Sequence, residues 1–422
     1  MPEQWEWLRW SRYQPVAQRL MWVRLSRSVG QGMMTVNFAL YLHALGWTAG
    51  SIGMLLTASG LSGAGLALGV GHLSDRLGRK PFLLFYEVLT VAAGVAVITS
   101  TAPWVLAAAA IAASFGRGQN GGAGPFGPAE QAWLAGTVRS PDRAGLFSLN
   151  AAISFLGLGL GSLLAGSVSY FQRWLSGPSA FRPLFWVVVL GSVINLALIW
   201  PLTEPPRRLS QGAAPSPSRQ GLFKGEENRN LALMTVANAL NGLSFGMTGP
   251  FMAYWFSVRF GAVPAAIGAL MAIANFAMAA SNLVSGWVAR SSGVVRTVVV
   301  SSAVSVALIF SLPLMPNFFW ASVVYFLRSL VSRGVMGARQ TVSISLVRDD
   351  RRGLAASLNT ASVQVFSSVG PTITGYLLDV GDLNLPFWIS GLFQVAYVTV
   401  YRRFFTALDQ RFRAAPPPSA SG

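Results

Sequence analysis

The sequence predicts an all-α polytopic membrane protein with twelve transmembrane helices, arranged as two pseudo-symmetric bundles of six. Three observations lead to this fold class: the composition, a series of apolar stretches of bilayer length, and an internal repeat. Of the 422 residues, 53% are hydrophobic and only 11% are charged, whereas about a quarter of the residues in an ordinary soluble domain carry charge. The composition therefore favours a chain that lies mostly within a bilayer.

Twelve apolar stretches recur along the chain, and each is near the roughly 20 residues that a helix needs to cross about 30 Å of hydrocarbon. In the first half they are Met21–Leu45, Ser51–Gly71, Pro81–Ser100, Trp104–Gly136, Gly145–Tyr170 and Pro183–Leu202. In the second half they are Asn230–Val258, Pro264–Trp287, Val294–Leu312, Asn317–Gly337, Leu354–Leu378 and Leu385–Phe404.

The longest polar interruption divides these stretches six to six. It contains EPPRRLSQGAAPSPSRQG, a mixture of Pro, Ser and Arg that cannot build a core and is typical of a linker. The basic, aromatic N-terminal residues have no apolar stretch of their own, which favours an interfacial segment over a signal peptide. The expected organisation is an interfacial segment (1–20), a six-helix bundle (21–202), a cytoplasmic linker (203–229), a second bundle (230–405) and a disordered cytoplasmic tail (406–422).

An internal repeat supports this division. When the chain is shifted by 209 positions, the segment from Glu130 aligns with the segment from Arg339, with 10 identities in 37 positions and no gap. Several of the matches are polar, including Ser148-Leu149-Asn150 against Ser357-Leu358-Asn359. Shared hydrophobicity does not explain such matches, so the halves are expected to be a duplicated six-helix unit.

The formal charge of +17 is explained by topology and not by a nucleic-acid partner. With the N-terminus inside, only Arg173, Arg182 and Arg259 lie in outward loops, four arginines lie within spans, and 24 basic residues remain on the cytoplasmic side. This asymmetry is the positive-inside bias. We therefore expect a multi-pass protein of the cytoplasmic membrane with both termini cytoplasmic, anionic lipid headgroups as partners, and a monomeric state.

The residues that usually build catalytic or metal centres are scarce. The chain has no cysteine and two histidines, His43 and His72, so we expect no metal site, no cofactor and no enzymatic activity. One alternative is an intramembrane serine protease, because Gly60-Leu61-Ser62-Gly63 matches G-x-S-G, but neither histidine is well placed as the base. Another alternative is a receptor or scaffold that transports nothing.

After the second span the sequence reads Gly71-His72-Leu73-Ser74-Asp75-Arg76-Leu77-Gly78-Arg79-Lys80. This segment resembles the loop signature of the major facilitator superfamily, G-x-L-A-D-R-x-G-R-[RK], which lies between helices two and three in that family. The resemblance implies two six-helix bundles around a central pathway, and a secondary transporter that moves a small solute by alternating access.

The resemblance also implies a conformational latch at this loop. Asp75 is expected at a helix N-terminus, where the dipole favours an anion, and Arg79 is expected to pair with Glu130 at the cytoplasmic end of helix four. Arg76 and Lys80 have an alternative interpretation as lipid-facing basic residues. The complete set of expected latch residues is Gly71, Asp75, Arg76, Gly78, Arg79 and Glu130.

Other family signatures are less complete. Helix four carries Arg117-Gly118-Gln119-Asn120-Gly121, similar to the R-x-x-x-G element of many proton-coupled members. The glycine and proline signature of drug antiporters in helix five is poorly kept, because Ser162 replaces the proline. In the second half, Arg290 stands where Asp75 would be, which predicts an asymmetric latch. The glycine-rich stretch from Gly116 to Pro128 is predicted to be a hinge or an unwound segment.

In the family fold, helices one, four, seven and ten line the pathway, and charge at membrane depth marks a functional site. Arg117 and Arg328 are predicted near the midplane, with Arg27 and Arg333 nearer the cytoplasm. Arginine suits recognition of carboxylate or phosphate. The uncharged substrate-binding candidates are Gln31, Asn37, Asn238 and Asn241. Structural alternatives are that Arg27 snorkels to the interface, that Arg117 pairs with Glu87, and that the amides join helices.

Two transport functions remain open from the sequence. The first is transport or exchange of an anionic or anion-headed amphipathic solute along the arginine-lined pathway. The second is proton-coupled efflux of lipophilic drugs, with Glu87 or Glu130 binding the proton. The scarcity of acids within the spans favours the first function slightly.

Overall fold

Helices account for nearly all of the chain that the computed structural model describes, residues 10–116, 125–138, 142–204, 226–292, 294–333 and 352–414, and no strand occurs in these ranges. The first half contains α1 (Pro15–Ala44), α2 (Ala49–Leu77), α3 (Lys80–Thr99), α4 (Pro103–Ala113), α5 (Gly127–Ala135), α6 (Arg143–Ala165), α7 (Val168–Phe171) and α8 (Arg182–Ile199). The second half contains α9 (Glu226–Thr248), α10 (Met252–Phe260), α11 (Pro264–Ser292), α12 (Val294–Ser311), α13 (Phe318–Arg333), α14 (Arg352–Asp379) and α15 (Leu385–Ala414).

These helices form the predicted passes through the membrane, six in each half. The pairs α4 with α5, α6 with α7, and α9 with α10 each make up one pass. Five segments of the described chain are long and apolar enough to span a bilayer by length and composition alone: Ala49–Gly71, Lys80–Thr99, Gly145–Phe171, Gly177–Ile199 and Pro264–Ser281. The all-α fold with two six-helix bundles is confirmed.

The fourth pass, predicted as one helix over Trp104–Gly136, is broken near its middle. The helix α4 ends at Ala113, and Ser114 follows in the left-handed conformation with φ 57°. Side chains donate to carbonyl groups at this break: Tyr86 donates to Ala113 at 3.2 Å, and Ser59 donates at 2.9 Å to Ala110, which also accepts from the backbone N–H groups of Ser114 and Phe115. Such bonds let a helix end within a membrane. Residues 117–124 of the predicted hinge lie outside the described residues.

The seventh pass, predicted over Asn230–Val258, is also interrupted. The helix α9 ends at Thr248 and α10 begins at Met252. Pro250 lies between them, and a proline removes a backbone donor and disfavours a helical conformation of the residue before it. At the C-terminus, the tail predicted to be disordered from residue 406 is helical as far as Ala414. This extension contains Leu, Gln, Arg and Ala, which favour helix.

The two halves meet along two helix pairs, α2 with α14 and α6 with α11. A Cβ atom on Gly53 of α2 would overlap the carbonyl of Pro371, and one on Gly268 of α11 would overlap the carbonyl of Ser162. Backbone therefore lies directly against backbone at both contacts. Small residues at helix interfaces in membranes allow this close approach, which increases van der Waals contact.

The repeated glycines have equivalent roles in the two halves. Within the halves, Gly161 lies against the backbone of α1 at Val29, and its repeat partner Gly370 lies against the backbone of α9 at Gly246. Between the halves, Gly166 lies against the backbone of Ala265, and its repeat partner Gly375 lies against that of Ala49. The identities found in the sequence repeat thus mark close helix contacts, which agrees with a duplicated unit.

Two polar contacts between the halves cap helix N-termini, one at α2 and one at α11. The carboxylate of Asp379 accepts a hydrogen bond from the backbone N–H of Gly50 at 2.8 Å, at the first turn of α2. At the matching place in the other pair, the hydroxyl of Ser169 accepts from the N–H of Ala265 at 3.2 Å, at the first turn of α11. Oxygen acceptors stabilise helix N-termini, and an ionised one also interacts favourably with the helix dipole.

These contacts lie on one side of the bundle. We call the side that carries the ends of the described chain the terminal side, and the side with the loop at Trp47 the opposite side. Along α2, close contacts to α14 run from Gly50 at the opposite side to Gly60, whereas a Cβ atom on Gly65 or Gly69 would meet nothing within 4 Å. The described contacts between these two helices are therefore concentrated on the opposite side.

The pair Thr57 and Thr372 offers a direct test of this packing, since their hydroxyls lie 2.8 Å apart across the halves. In a Thr57→Cys/Thr372→Cys variant we expect mild oxidation to join the halves, because their side chains are close enough for a disulfide. The protein has no cysteine of its own, so the bond is unambiguous. Cleavage at a protease site introduced within residues 205–225 and a non-reducing gel show whether the halves stay joined.

The matched control is Ser244→Cys/Ser390→Cys, because these hydroxyls also lie 2.8 Å apart but within the second half. Mass spectrometry is expected to show its disulfide, while cleavage still separates the halves. If the control pair is oxidised and the Thr57/Thr372 pair stays reduced, the described packing of α2 on α14 is wrong.

Candidate functional site

A cluster of buried charges occupies the interior of the first half. The guanidinium of Arg27 on α1 donates to Oε1 of Glu87 on α3 from Nε at 3.1 Å and from Nη2 at 2.6 Å. Its Nη1 donates to Oε2 of Glu130 on α5 at 2.5 Å. Both carboxylate side chains are 1% exposed. One arginine therefore links three helices through two carboxylates.

Further polar groups surround this cluster. Asn195 of α8 donates from Nδ2 to Oε2 of Glu87 at 3.2 Å. Arg24, one turn before Arg27 on α1, lies 3.9 Å from Oε1 of Glu130 and donates to the hydroxyl of Ser154 at 2.9 Å. Buried charges are stable only when they are paired and hydrogen-bonded. Two arginines and two carboxylates make this cluster neutral overall.

Local structure contributes to the position of Glu130. It lies in the first turn of α5, where the helix dipole favours a carboxylate. The helix begins at Gly127 with Pro128 in its first turn, a position where a missing N–H does not matter. The break in the fourth pass therefore creates a helix N-terminus inside the bundle, and Glu130 is placed at it.

The loop that carries the family signature has other partners than expected. Arg79 donates from Nη1 to the carbonyl of Ala132 at 2.9 Å, and its Nε lies 4.0 Å from Glu204. Its backbone N–H also donates to Glu204 at 2.9 Å. The expected pairing of Arg79 with Glu130 is therefore wrong for this conformation, because Glu130 binds Arg27 deeper in the bundle. Glu204, at the start of the polar linker, takes its place.

The remaining latch residues are only partly described. A Cβ atom added to Gly71 would lie 3.8 Å from Cβ of Pro128, an ordinary van der Waals distance, so the space beside Gly71 does not itself require glycine. Gly78 has φ 101° and ends α2. Arg76 is exposed, and the side chain of Asp75 lies outside the description. Lys80 donates to the carbonyl of Trp200 at 2.6 Å, which favours a role in joining α3 to the end of the sixth pass over lipid contact alone.

A different environment surrounds Arg328 on α13. Its side chain is buried, 6% exposed, and its guanidinium lies over the ring of Phe245 with 5.6 Å from Cζ to the ring centre. Nη2 lies 3.5 Å from the hydroxyl of Thr248, and Nε has no hydrogen-bond partner. Among the described residues, no carboxylate lies within 4.0 Å of this guanidinium.

The helix that faces Arg328 has a polar side. Asn238, Asn241, Phe245 and Thr248 are spaced at three, four and three residues along α9, so they share one face of the helix. Asn238 and Asn241 are both 4% exposed, and Oδ1 of Asn241 has no hydrogen-bond partner. Together with Arg328, this face forms a buried set of donors and acceptors that is not fully satisfied.

The other predicted pathway residues differ in their surroundings. Asn37 donates to the carbonyl of Ala165 at 3.0 Å and so joins α1 to α6, which is the structural alternative. Gln31 is partly exposed. Arg117 lies outside the described residues, and Arg333 is the last described residue of α13 without a described side chain. Arg27 does not snorkel, because two buried carboxylates hold it within the bundle.

Three members of these networks were missed from the sequence. Arg24 was grouped with the basic cytoplasmic residues, although its spacing of three from Arg27 places both on one helix face. Asn195 was taken as part of an apolar span, and Glu204 as part of the linker. His43, considered as a possible base, packs edge-on against the ring of Tyr254 at 5.0 Å.

Removal of Arg27 tests whether the buried cluster is held by this one side chain. We expect Arg27→Met to destabilise the protein by about 3–5 kcal/mol, because two buried carboxylates lose their main partner. Denaturant unfolding in detergent measures the change. Restoring neutrality with Glu87→Gln in the same chain, which leaves Arg24 beside Glu130, is expected to recover most of the loss.

Arg12→Met is the matched control, since Arg12 forms a 2.7 Å ion pair with Asp142 but is 43% exposed. Exposed pairs contribute about 0–1 kcal/mol. Equal losses for Arg12→Met and Arg27→Met would show that the buried cluster does not hold the three helices together.

Comparisons with known proteins agree with this architecture. The sequence matches the family profile described as Major Facilitator Superfamily over residues 20–232 and 234–421. The MFS-type transporter YceJ of Bacillus subtilis is 25% identical over 332 residues, which cover 77% of this chain and 79% of YceJ. The multidrug resistance protein MdtH of Edwardsiella ictaluri is 22% identical over 356 residues, 82% of each chain.

Solved structures share the fold. A crystal structure of the nucleoside transporter NupG superposes with a TM-score of 0.73 at 14% identity, over 93% of this chain and 100% of NupG. An inward-facing, unoccupied structure of a bacterial homologue of the human lysosomal transporter Spinster gives 0.71 at 15% identity, over 96% and 98%. Because the family profile covers both six-helix halves, the protein belongs to the major facilitator superfamily and is a multi-pass membrane transporter.

Proposed function

We propose that the protein is a secondary active transporter of an anionic or anion-headed amphipathic solute, and that Arg328 binds the anionic group. The observation that carries this proposal is the contrast between two buried arginines. Arg27 is paired with two carboxylates, whereas Arg328 has only an aromatic ring and a hydroxyl 3.5 Å away among the described residues.

A buried arginine that has no acidic partner in the described part of the chain is unfavourable without a ligand. A buried cation is costly to hold, and the contact with Phe245 compensates for only part of the lost hydration. A carboxylate, phosphate or sulfonate group supplies both the opposite charge and the missing acceptors, in a bidentate geometry that guanidinium favours. The ring of Phe245 suits the apolar part of an amphipathic solute, which supports an anion-headed substrate over a small inorganic anion.

The polar face of α9 extends this site. The partly unsatisfied amide of Asn241 and the hydroxyl of Thr248 lie on the face that Arg328 contacts. Such neutral groups fix the orientation of a ligand and distinguish it from others of equal charge. We therefore assign Arg328, Asn241 and Thr248 to substrate binding, with Asn238 beside them.

Alternating access is the proposed mode of transport. The close contacts of α2 with α14 on the opposite side, together with open positions at Gly65 and Gly69, support a conformation that is open towards the terminal side. From the excess of basic residues on that side we propose that both termini are cytoplasmic, that the protein lies in the cytoplasmic membrane, and that its basic residues contact anionic headgroups.

A second candidate function is proton-coupled export of lipophilic drugs. The resemblance to proteins named multidrug resistance protein MdtH supports it, as do the two buried carboxylates of the first half. In that case Arg328 has a structural role, and lipophilic cations bind elsewhere in the pathway.

Thermal stabilisation of the purified protein distinguishes the two functions. The ligands are organic carboxylates, phosphorylated metabolites, alkylsulfonates and lipophilic cationic drugs. We expect an anion to stabilise the protein and its affinity to fall roughly tenfold to a hundredfold in Arg328→Gln, because a hydrogen bond to a charged group contributes about 1.5–3 kcal/mol. Arg328→Lys keeps the charge and is expected to retain part of the response.

Arg173→Gln is the control, because Arg173 lies in a loop over the exposed ring of Tyr170. This substitution is expected to leave the response to anions unchanged. Stabilisation by cationic drugs alone, with equal responses in the wild type and Arg328→Gln, would replace the anion proposal with drug export.

A further inference from the structure

A carboxylate of the second half binds the start of a helix in the first half. Backbone N–H groups in the first turn of a helix have no acceptor within the helix. In α2, the N–H of Ser51 donates at 3.2 Å to the hydroxyl of Thr48, the residue that precedes the helix. The N–H of Gly50 instead donates at 2.8 Å to Oδ2 of Asp379, the last residue of α14. The second half therefore supplies an acceptor that the first half does not.

The residue at position 50 leaves room for this carboxylate. A Cβ atom on Gly50 would lie 2.5 Å from Oδ2 of Asp379, so a side chain there would displace the carboxylate. Among the described residues, no basic side chain lies within 4.0 Å of Asp379. The described attraction for Asp379 therefore comes from the backbone of the other half, where the positive end of the α2 dipole adds to the hydrogen bond.

We infer that the hydrogen bond between Asp379 and Gly50, the gate contact, stabilises the conformation closed on the opposite side and breaks each time that side opens. The gate contact joins the two halves, so it exists only while α2 and α14 lie together there. An interaction that is present in one conformation and absent from another shifts the populations towards the first. The inference uses the alternating access proposed above, but it applies to any solute and does not depend on Arg328.

The helix that carries Asp379 also contacts the proposed solute site. Thr374, five residues before Asp379 on α14, donates to the carbonyl of Met247 at 2.7 Å. The next residue of α9, Thr248, lies 3.5 Å from Arg328. Helix α14 is thus joined to α2 by the gate contact and to the end of α9 by Thr374. The gate contact and the proposed solute site therefore have α14 as a common neighbour.

The reactivity of an introduced cysteine measures how often the opposite side opens. The protein has no cysteine of its own. Ser368 of α14 is 5% exposed and lies against Gly60 of α2, at the far end of the helix pair from Asp379. In a Ser368→Cys chain, a membrane-impermeant maleimide added on the opposite side reaches the thiol only when α2 and α14 separate. The labelling rate therefore follows the open fraction even when that fraction is small. Intact cells and inverted vesicles expose the two sides of the membrane separately.

We expect Asp379→Ala to raise the labelling rate from the opposite side roughly threefold to tenfold, the effect of losing one helix cap. Asp379→Asn keeps an oxygen acceptor and is expected to have a smaller effect. Gly50→Ala excludes the carboxylate and is expected to match Asp379→Ala, although alanine by itself favours helix in α2. The two substitutions together are expected to add nothing further, because both remove the same interaction. From the terminal side the rate is expected not to rise, which excludes a general loosening of the protein.

Asp382→Ala is the matched control. The carboxylate of Asp382 accepts hydrogen bonds from the backbone N–H groups of Asn384 and Leu385 at 2.9 and 2.8 Å, at the start of α15 and within the second half. This substitution removes a capping carboxylate on the same side of the protein without changing the contact between the halves. It is expected to leave the labelling rate unchanged.

Three results would overturn the inference. The first is an Asp379→Ala rate equal to that of the parent chain or of the control. The second is an additive effect of Asp379→Ala and Gly50→Ala. The third is a Ser368→Cys thiol that stays unreactive from the opposite side in every variant while a thiol at the exposed Trp104 reacts. No solute is added in these measurements, so the gate contact and the anion response are tested separately.

Discussion

The arrangement of the first half depends on one interaction, the sharing of the Arg27 guanidinium between Glu87 and Glu130. Ionised groups in a membrane interior need partners, and a planar guanidinium with five donors can serve two carboxylates at once. Because the partners lie on α1, α3 and α5, the pairing fixes the relative positions of three passes. It also leaves Arg328 as the buried arginine without an acidic partner in the described chain, which is the basis for assigning the two halves different roles.

The breaks in the fourth and seventh passes each lie next to buried charged or polar residues. The break after Ala113 produces the N-terminal turn in which Glu130 lies, and the break at Pro250 follows directly on the polar face of α9 near Arg328. The two breaks are not related by the duplication, because the fourth pass is equivalent to the tenth and the seventh to the first. In each case the interrupted backbone occurs close to a buried charged residue, Glu130 in the first half and Arg328 in the second.

Sequence patterns predicted the passes, the duplication and the family, because these depend on local hydropathy and on spacing along the chain. Residues Arg27, Glu87, Glu130 and Arg328 were all singled out, since charge in an apolar span is conspicuous. The partners were not predicted, because the contact of Arg27 with Glu87 depends on how α1 packs on α3. Arg79 was assigned to Glu130 by family resemblance, and the Glu204 contact depends on the path of the chain after α8. The break at Pro250 was overlooked because the apolar stretch continues through it.

The glycine contacts between the halves have a thermodynamic consequence for the exchange between open and closed forms. Where Gly53 meets Pro371 and Gly268 meets Ser162, the surfaces that separate are mainly backbone held in rigid helices. Long side chains lose rotamer freedom when an interface closes, at up to about 2 kcal/mol each, whereas glycine and alanine lose none. Forming these contacts therefore orders few side chains, and breaking them releases few. As a result, side-chain entropy at these contacts contributes little to the free-energy difference between the open and closed forms.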